Sequence, residues 1–256
     1  MNDLLNNKCI LVVGAGGLLG SHLIAAMLAA GAKVIAADIN TDLIYQRLNE
    51  LKVDEKNESL TCASLDVTNE ESLKLFFEFH KNIDGAVNAT YPRNKAYGAH
   101  FFDVKITDFN ENVSLHLGSS FLFMQQCASY FKETQRDFSL VNISSVYGVI
   151  APKFEIYEDT KMTMPVEYSA IKSAILHLSK YVVAYVADSR FRVNSVSPGG
   201  IFDHQPKAFL DAYKRQTLGK GMLDVTDVIG SIIYLLSDYA RYVNGQNIVV
   251  DDGFVL

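Results

Sequence analysis

Tyr168 and Lys172 stand one helical turn apart in the segment Pro165-Val166-Glu167-Tyr168-Ser169-Ala170-Ile171-Lys172. If the segment is helical, the phenol and the ammonium share one face and can act on one bound molecule. A neighbouring cation favours the phenolate, so Lys172 is expected to lower the pKa of Tyr168 from about 10 towards the range of general acid/base chemistry. The pair alone does not separate catalysis from an exposed helical pair. Its context matters more, beginning with Gly14-Ala15-Gly16-Gly17-Leu18-Leu19-Gly20, which follows one apolar run and opens another. Glycines between a strand and a helix let backbone amides and the helix N-terminus approach a pyrophosphate. Asp38 closes the next β-branched run, where a carboxylate can bond both hydroxyls of an adenosine ribose and repel a 2′-phosphate. No Arg or Lys occurs in the glycine loop or directly after Asp38. The expected cofactor is therefore NAD rather than NADP, the alternative being a tight turn capped by an aspartate.

These residues need a frame to hold them. With 256 residues and 49% hydrophobic content, the chain suits one large α/β domain over 1–256, with no linker, repeat or low-complexity stretch dividing it. A net charge of -6 gives no electrostatic footprint for nucleic acid, and no basic run marks an anionic membrane. Cys9, Cys62 and Cys127 are odd in number and widely spaced, which suggests neither a disulfide framework nor a metal site and fits a reducing cytoplasm. The apolar stretch from Lys8 to Ala37 imitates a signal peptide or a membrane span, which needs about 20 predominantly apolar residues. Gly14, Gly16, Gly17, Gly20, Ser21 and His22 interrupt it, so a strand, a turn and a buried helix are expected instead.

Short β-branched runs alternate with longer helical patterns. Strands are expected at Cys9 to Val13, Lys33 to Asp38, Leu60 to Leu65, Ile83 to Asn88, Ser139 to Ser144, Arg192 to Val196 and Asn247 to Val250. The best-defined helices are Leu18 to Ala30, Asn69 to His80, Ile106 to Phe131, Pro165 to Asp188 and Thr226 to Ser237. Right-handed crossovers would wind these into a doubly wound, mostly parallel Rossmann-type α/β sheet with helices on both faces. Ligands then bind beyond the carboxyl ends of the strands.

With these motifs in this order, the chain resembles the short-chain dehydrogenase/reductases over nearly its full length. The resemblance runs through the glycine loop, Asp38, Asp66-Val67, Asn88-Ala89, Asn142-Ile143-Ser144-Ser145, Tyr168 to Lys172, Asn194, Pro198-Gly199 and Val250-Asp251-Asp252-Gly253. It implies that Tyr168 exchanges a proton with the substrate oxygen during hydride transfer, that Ser145 bonds that oxygen, and that Lys172 holds the nicotinamide ribose and tunes the tyrosine. It also implies cofactor contacts from Gly14, Gly16, Gly17, Leu18, Leu19 and Gly20, from Asp66 and Val67 beside the adenine, from Asn88 and Ala89 at the cleft, and from Pro198, Gly199 and Ile201. Such enzymes pair through the helices at Ile106 to Phe131 and Pro165 to Asp188, which implies a homodimer or homotetramer.

Three departures qualify the resemblance. Leu18 stands where the single-domain branch has its second glycine and Val13 where it has threonine, while Gly14, Gly17 and Gly20 match the spacing of the extended branch. His116 aligns with the family's active-site asparagine, which holds a water that relays protons from the lysine; Asn112, one turn earlier, is the alternative. An imidazole there is expected to titrate near neutral pH and to serve the relay, unless it is a helix-interior histidine satisfied by backbone. Finally, the connection from Ser145 to Tyr168 is longer than usual. Its segment Ile150 to Met164 is either an exposed loop over the active site or an idle surface insertion, and substrate-covering segments are expected near 146–167 and 200–222.

Substrate clues follow Asn88-Ala89, where Thr90-Tyr91-Pro92-Arg93-Asn94-Lys95-Ala96-Tyr97-Gly98 replaces the family's usual glycine-led run, and lie in Lys207, Lys214, Arg215 and Lys220. Cations at an active-site mouth would select a phosphate or carboxylate, unless they are solvated surface charge. The stretch Tyr91 to Gly98 most resembles oxidoreductases of bacterial flagellin glycosylation, which act in making nonulosonic-acid-type sugars, so a phosphorylated or nucleotide-linked sugar is the expected small-molecule substrate. The alternatives are a sugar dehydratase or epimerase with tightly held NAD, and a non-catalytic dinucleotide-responsive scaffold.

Overall fold

The computed structural model describes residues 3–256. Its centre is a seven-stranded, fully parallel sheet of order β3-β2-β1-β4-β5-β6-β7. The strands are β1 (Cys9–Val13), β2 (Lys33–Asp38), β3 (Leu60–Ser64), β4 (Gly85–Asn88), β5 (Phe138–Ile143), β6 (Phe191–Pro198) and β7 (Asn247–Val250). Strand order reverses between β1 and β4, the point at which a doubly wound sheet opens a crevice at its carboxyl edge. The register aligns that edge: Val13 pairs with Ala37 on one side and Asn88 on the other, and Asn88 pairs with Asn142. Gly14, Asp38, Ala89 and Ser145 consequently emerge at one edge of the sheet.

Two apolar layers bury the sheet. On one face, α1 (Leu18–Ala29), α2 (Thr41–Glu50) and α8 (Val225–Leu236) pack Leu23, Ile24, Met27, Ile44, Ile229 and Ile233 against Ile10, Val12 and Val87. On the other, α3 (Glu70–Phe79), α5 (Ser119–Thr134) and α6 (Val166–Val186) pack Leu73, Phe77, Phe123, Tyr130, Ile171 and Ile175 against Leu11, Ala86 and Leu140. Helix α6 starts directly after Pro165, whose fixed φ suits a helix entry, and stops at Ala187 in the left-handed region (φ 53). The helix expected from Ile106 to Phe131 is one path in three parts: α4 (Ile106–Asn112), a π-helical turn over Val113–Gly118, and α5. Single π-helical turns widen a helix locally and concentrate at functional sites. This one carries His116.

A third apolar cluster changes the reading of the long segment before α6. Ile156 and Tyr157 are buried with Val146, Tyr147, Phe209 and Tyr213 of α7 (Lys207–Lys214), and Phe254 near the C-terminus. Lys153 Nζ donates to the Phe254 carbonyl at 2.7 Å. Burying each large apolar side chain is worth about 1.5–3 kcal/mol, so lifting this segment away would cost several such contributions. It is an anchored wall rather than an idle insertion or a wholly exposed loop: Ile156 and Tyr157 are buried, while Phe154, Glu155, Glu158 and Asp159 stay exposed on its outer side.

Candidate active site

The loop after β5 and helix α6 bring Ser145, Tyr168 and Lys172 together around a cavity of about 380 Å³. Ser145 follows β5, and its Oγ accepts from Tyr147 N at 3.2 Å. The first turns of α6 are pressed onto that loop. Ser144 Oγ donates to the Lys172 carbonyl at 2.9 Å, and a Cβ on Gly148 would stand 2.8 Å from the Lys172 backbone. Only glycine lets the loop and helix approach so closely.

Lys172 is buried, with Nζ donating to the Ile143 carbonyl at 2.8 Å and lying 3.5 Å from His116 Nε2. Burial alone pulls its pKa down to about 7. The expected lowering of Tyr168 is not found. Burial raises the phenol above its ordinary value, opposed by a hydrogen bond with Ser145. An amine that titrates near 7 and bonds a carbonyl is a weak source of positive potential, and Nζ lies 5.6 Å from the Tyr168 ring centroid. Tyr168 is therefore held as a protonated phenol at neutral pH.

His116 also departs from expectation. It is 2% exposed, and desolvation, then Lys172 and Arg93, push its pKa down to about 2. The imidazole stays neutral at physiological pH and does not titrate near neutrality, so Nε2 can accept from Lys172 without changing charge. Asn112, the alternative, does different work: its Nδ2 donates to buried Glu167 at 3.3 Å and its Oδ1 accepts from Asn94 N at 2.9 Å. It ties the segment after β4 to the start of α6.

The residue that sequence reasoning left out of the site is Tyr91. Its ring meets those of His116, Tyr168 and Tyr97 edge to face, with centroids 5.0, 5.6 and 5.6 Å away. Its hydroxyl is hydrogen-bonded to that of Tyr97. Lys172 Nζ and the Arg93 guanidinium carbon lie 5.6 and 4.7 Å from its centroid. Edge-to-face pairs contribute about 0.5–1.5 kcal/mol each beyond area burial, enough to fix the rings of His116 and Tyr168. The available signal was a bulky aromatic in place of the family's glycine-led run.

A second cavity, of about 610 Å³, adjoins the first; both are lined by Ala89, Thr90 and Tyr91. It is lined further by Gly14, Gly17, Asp38, Asp66 and Val67, whereas Leu19, Pro198, Gly199 and Ile201 line the first. Gly16, Leu18, Gly20, Asn88 and His116 line neither. Gly14 has φ +78, and a Cβ on Gly20 would stand 2.1 Å from the Gly14 carbonyl, so the loop closes only without side chains there. Gly16 N donates to Asp38 Oδ2 at 3.0 Å. Asn88 Oδ1 accepts from Thr90 N and Oγ1 at 3.2 and 2.7 Å, shaping the shared wall.

A family model described as enoyl-(acyl carrier protein) reductase matches residues 17–255. The chain belongs to the short-chain dehydrogenase/reductase family. It is 39% identical over 258 residues to post-translational flagellin modification protein A of Campylobacter coli, covering 99% of this chain and 100% of that protein. Similarity to a 7α-hydroxysteroid dehydrogenase of Bacteroides fragilis is 27% identity, covering 98% and 95% of the two chains. The solved structure of a short chain dehydrogenase from Leptospira borgpetersenii with bound NAD+ superposes with a TM-score of 0.86 at 30% identity, covering 98% of this chain and 94% of that one.

As a short-chain dehydrogenase/reductase the protein is an NAD(P)-dependent oxidoreductase. Its two adjoining cavities, its turn closed tightly at Gly14 and Gly20 and the carboxylate of Asp38 fit a nicotinamide dinucleotide lying across the carboxyl edge of the sheet. The basic group at Lys207, Lys214, Arg215 and Lys220 fits the second of its two readings, solvated surface charge. All four are exposed and outside both cavity linings, and Lys220 pairs with Asp224 and Asp227. They are carried on the outer face of α7 and the turn after it, while Phe209 and Tyr213 face inward.

Proposed function

We propose that this dehydrogenase interconverts a secondary alcohol and a ketone on a sugar derivative, using NAD(H). The observation that carries the reading is the convergence of Ser145, Tyr168 and Lys172 in a cavity that adjoins the glycine-loop cavity through Ala89, Thr90 and Tyr91. The nicotinamide cofactor, when bound, accepts or supplies the hydride. Tyr168 gives its proton to the ketone oxygen in reduction and receives one from the alcohol in oxidation. Ser145 Oγ bonds the same oxygen and orients it. Lys172 holds the nicotinamide ribose and refills the proton at Tyr168, while neutral His116 steadies its amine. Tyr157, Met162, Met164, Phe209 and Met222 line the cavity with apolar surface, which excludes water and suits the flat face of a sugar ring.

Asp38 supports NAD over NADP, because its carboxylate lines the adenosine side and would repel a 2′-phosphate. Flagellin modification in the Campylobacter relative supports a sugar destined for a surface or flagellar glycan. With Lys172 the one basic side chain among the described residues lining the smaller cavity, a phosphate or nucleotide on that sugar would remain at the mouth. Free thiols at Cys9, Cys62 and Cys127 fit a cytoplasmic setting. The test is a screen of free, phosphorylated and nucleotide-linked sugars with NAD and NADP, following absorbance of the reduced nicotinamide. Net turnover with NAD is expected. Redox-neutral conversion of a sugar without net reduction of added NAD would replace the dehydrogenase reading with a dehydratase or epimerase.

A further inference from the structure

The cavity beside the glycine loop contains a cation that neither the loop nor the residues after Asp38 provide. Arg93, from the segment after β4, lines it with Gly14 and Gly17. Its guanidinium carbon rests 4.7 Å from the centroid of Tyr91, and Nη1 donates to the Tyr91 carbonyl at 3.4 Å. A planar guanidinium laid on a ring and tied by one nitrogen keeps its other N–H groups oriented and free. Arg47, Arg136 and Arg190 each pair with a carboxylate; among the described residues Arg93 has no such partner. Arg93, like Asp38, borders only the larger cavity, but the Tyr91 ring on which it rests borders both, which sets the guanidinium beside the wall that the two cavities share.

We propose that Arg93 binds the pyrophosphate of the dinucleotide, adding a full positive charge opposite the glycine loop. The loop and the N-terminus of α1 offer only backbone dipoles, without a basic side chain. In a chain of net charge -6, a fixed cation there counters repulsion of a doubly charged ligand and grips phosphate oxygens in bidentate fashion. The proposal rests on assigning the larger cavity to the ADP half of the cofactor.

Calorimetric titration of adenosine, ADP and 2′-AMP into the wild type, Arg93→Ala and Arg93→Lys tests both layers. Arg93→Ala is expected to weaken ADP about ten-fold, the scale of one charge-assisted hydrogen bond, and to leave adenosine unchanged. Arg93→Lys should fall between, keeping the charge but losing the fork. Because Arg93 is exposed, the melting temperature of the variants should match the wild type. Equal ADP affinity in wild type and Arg93→Ala would overturn the proposal. A loss confined to 2′-AMP would overturn it too, moving Arg93 to a 2′-phosphate. A wild type that binds no ADP would remove the cavity assignment itself.

Discussion

At the scale of single residues, the chemistry of the site is set by burial more than by charge pairing. Ser145, Tyr168 and Lys172 were legible in the sequence because their types and order are local properties of the chain. Their protonation was not. Spacing suggested that Lys172 lowers Tyr168, but desolvation of both groups raises the phenol and depresses the amine, and desolvation depends on walls built from remote segments. The same walls keep His116 neutral. Linkage gives the consequence for stability. The folded pKa of Lys172 is about 7 and its ordinary value 10.5, so between these values the unfolded chain binds more protons. Stability from this group is fully present above about pH 10.5 and is lost as pH falls towards 7. Lys172→Met should remove that slope and raise stability most at or below pH 7. Denaturant titrations of both proteins at a series of pH values check it; parallel stability curves would show that Lys172 is not depressed in the folded state.

At the scale of elements, strand ends and one tight loop-helix contact do the positioning. The seven strands were readable from β-branched runs, with end shifts of one or two residues, because a doubly covered parallel strand is apolar throughout. Helix α2 was harder to read, burying only Ile44 and Leu48, and α7 is only eight residues long. The π-helical turn left no periodic signature distinct from a long helix. Gly148 lies in the turn after Ser145, where a Cβ would meet Lys172 backbone atoms and Ser144 Oγ at 2.8 Å. Since backbone cannot yield as a flexible side chain can, Gly148→Ala should push α6 away from β5. The expected cost is about 1–3 kcal/mol, in the range for overpacking, with a larger fall in turnover than in ADP affinity, because Gly148 and Lys172 are not among the residues lining the larger cavity. Thermal unfolding and calorimetry measure the two parts; unchanged turnover would show that the contact does not set the geometry of Lys172.

At the scale of the whole molecule, the sheet's carboxyl edge joins two cavities, and the outer faces of α5 and α6 remain partly uncovered. Phe123 and Val182 on these helices are core, but Phe121 is exposed, and Tyr181 and Tyr185 are 61% and 76% exposed with rings stacked at 6.1 Å. Sequence periodicity could not divide these residues between core and surface, since each helix carries large apolar side chains on both its buried and its exposed face. If copies pair on this face, sedimentation should show a dimer or larger assembly that Tyr181→Glu with Tyr185→Glu dissociates; a wild-type monomer would exclude such pairing. Of the two readings of the basic group, solvated surface charge is the one the structure favours, because amphipathic α7 turns its basic side outward and its aromatics inward. The central proposal is that Tyr168 carries the proton while the cofactor site stands independently. The direct measurement compares turnover of NAD with a sugar substrate in the wild type and Tyr168→Phe, alongside ADP affinity of each. Turnover should fall by about 10²–10⁴-fold, the usual worth of a positioned acid/base, with ADP affinity unchanged; full activity in Tyr168→Phe would contradict the account.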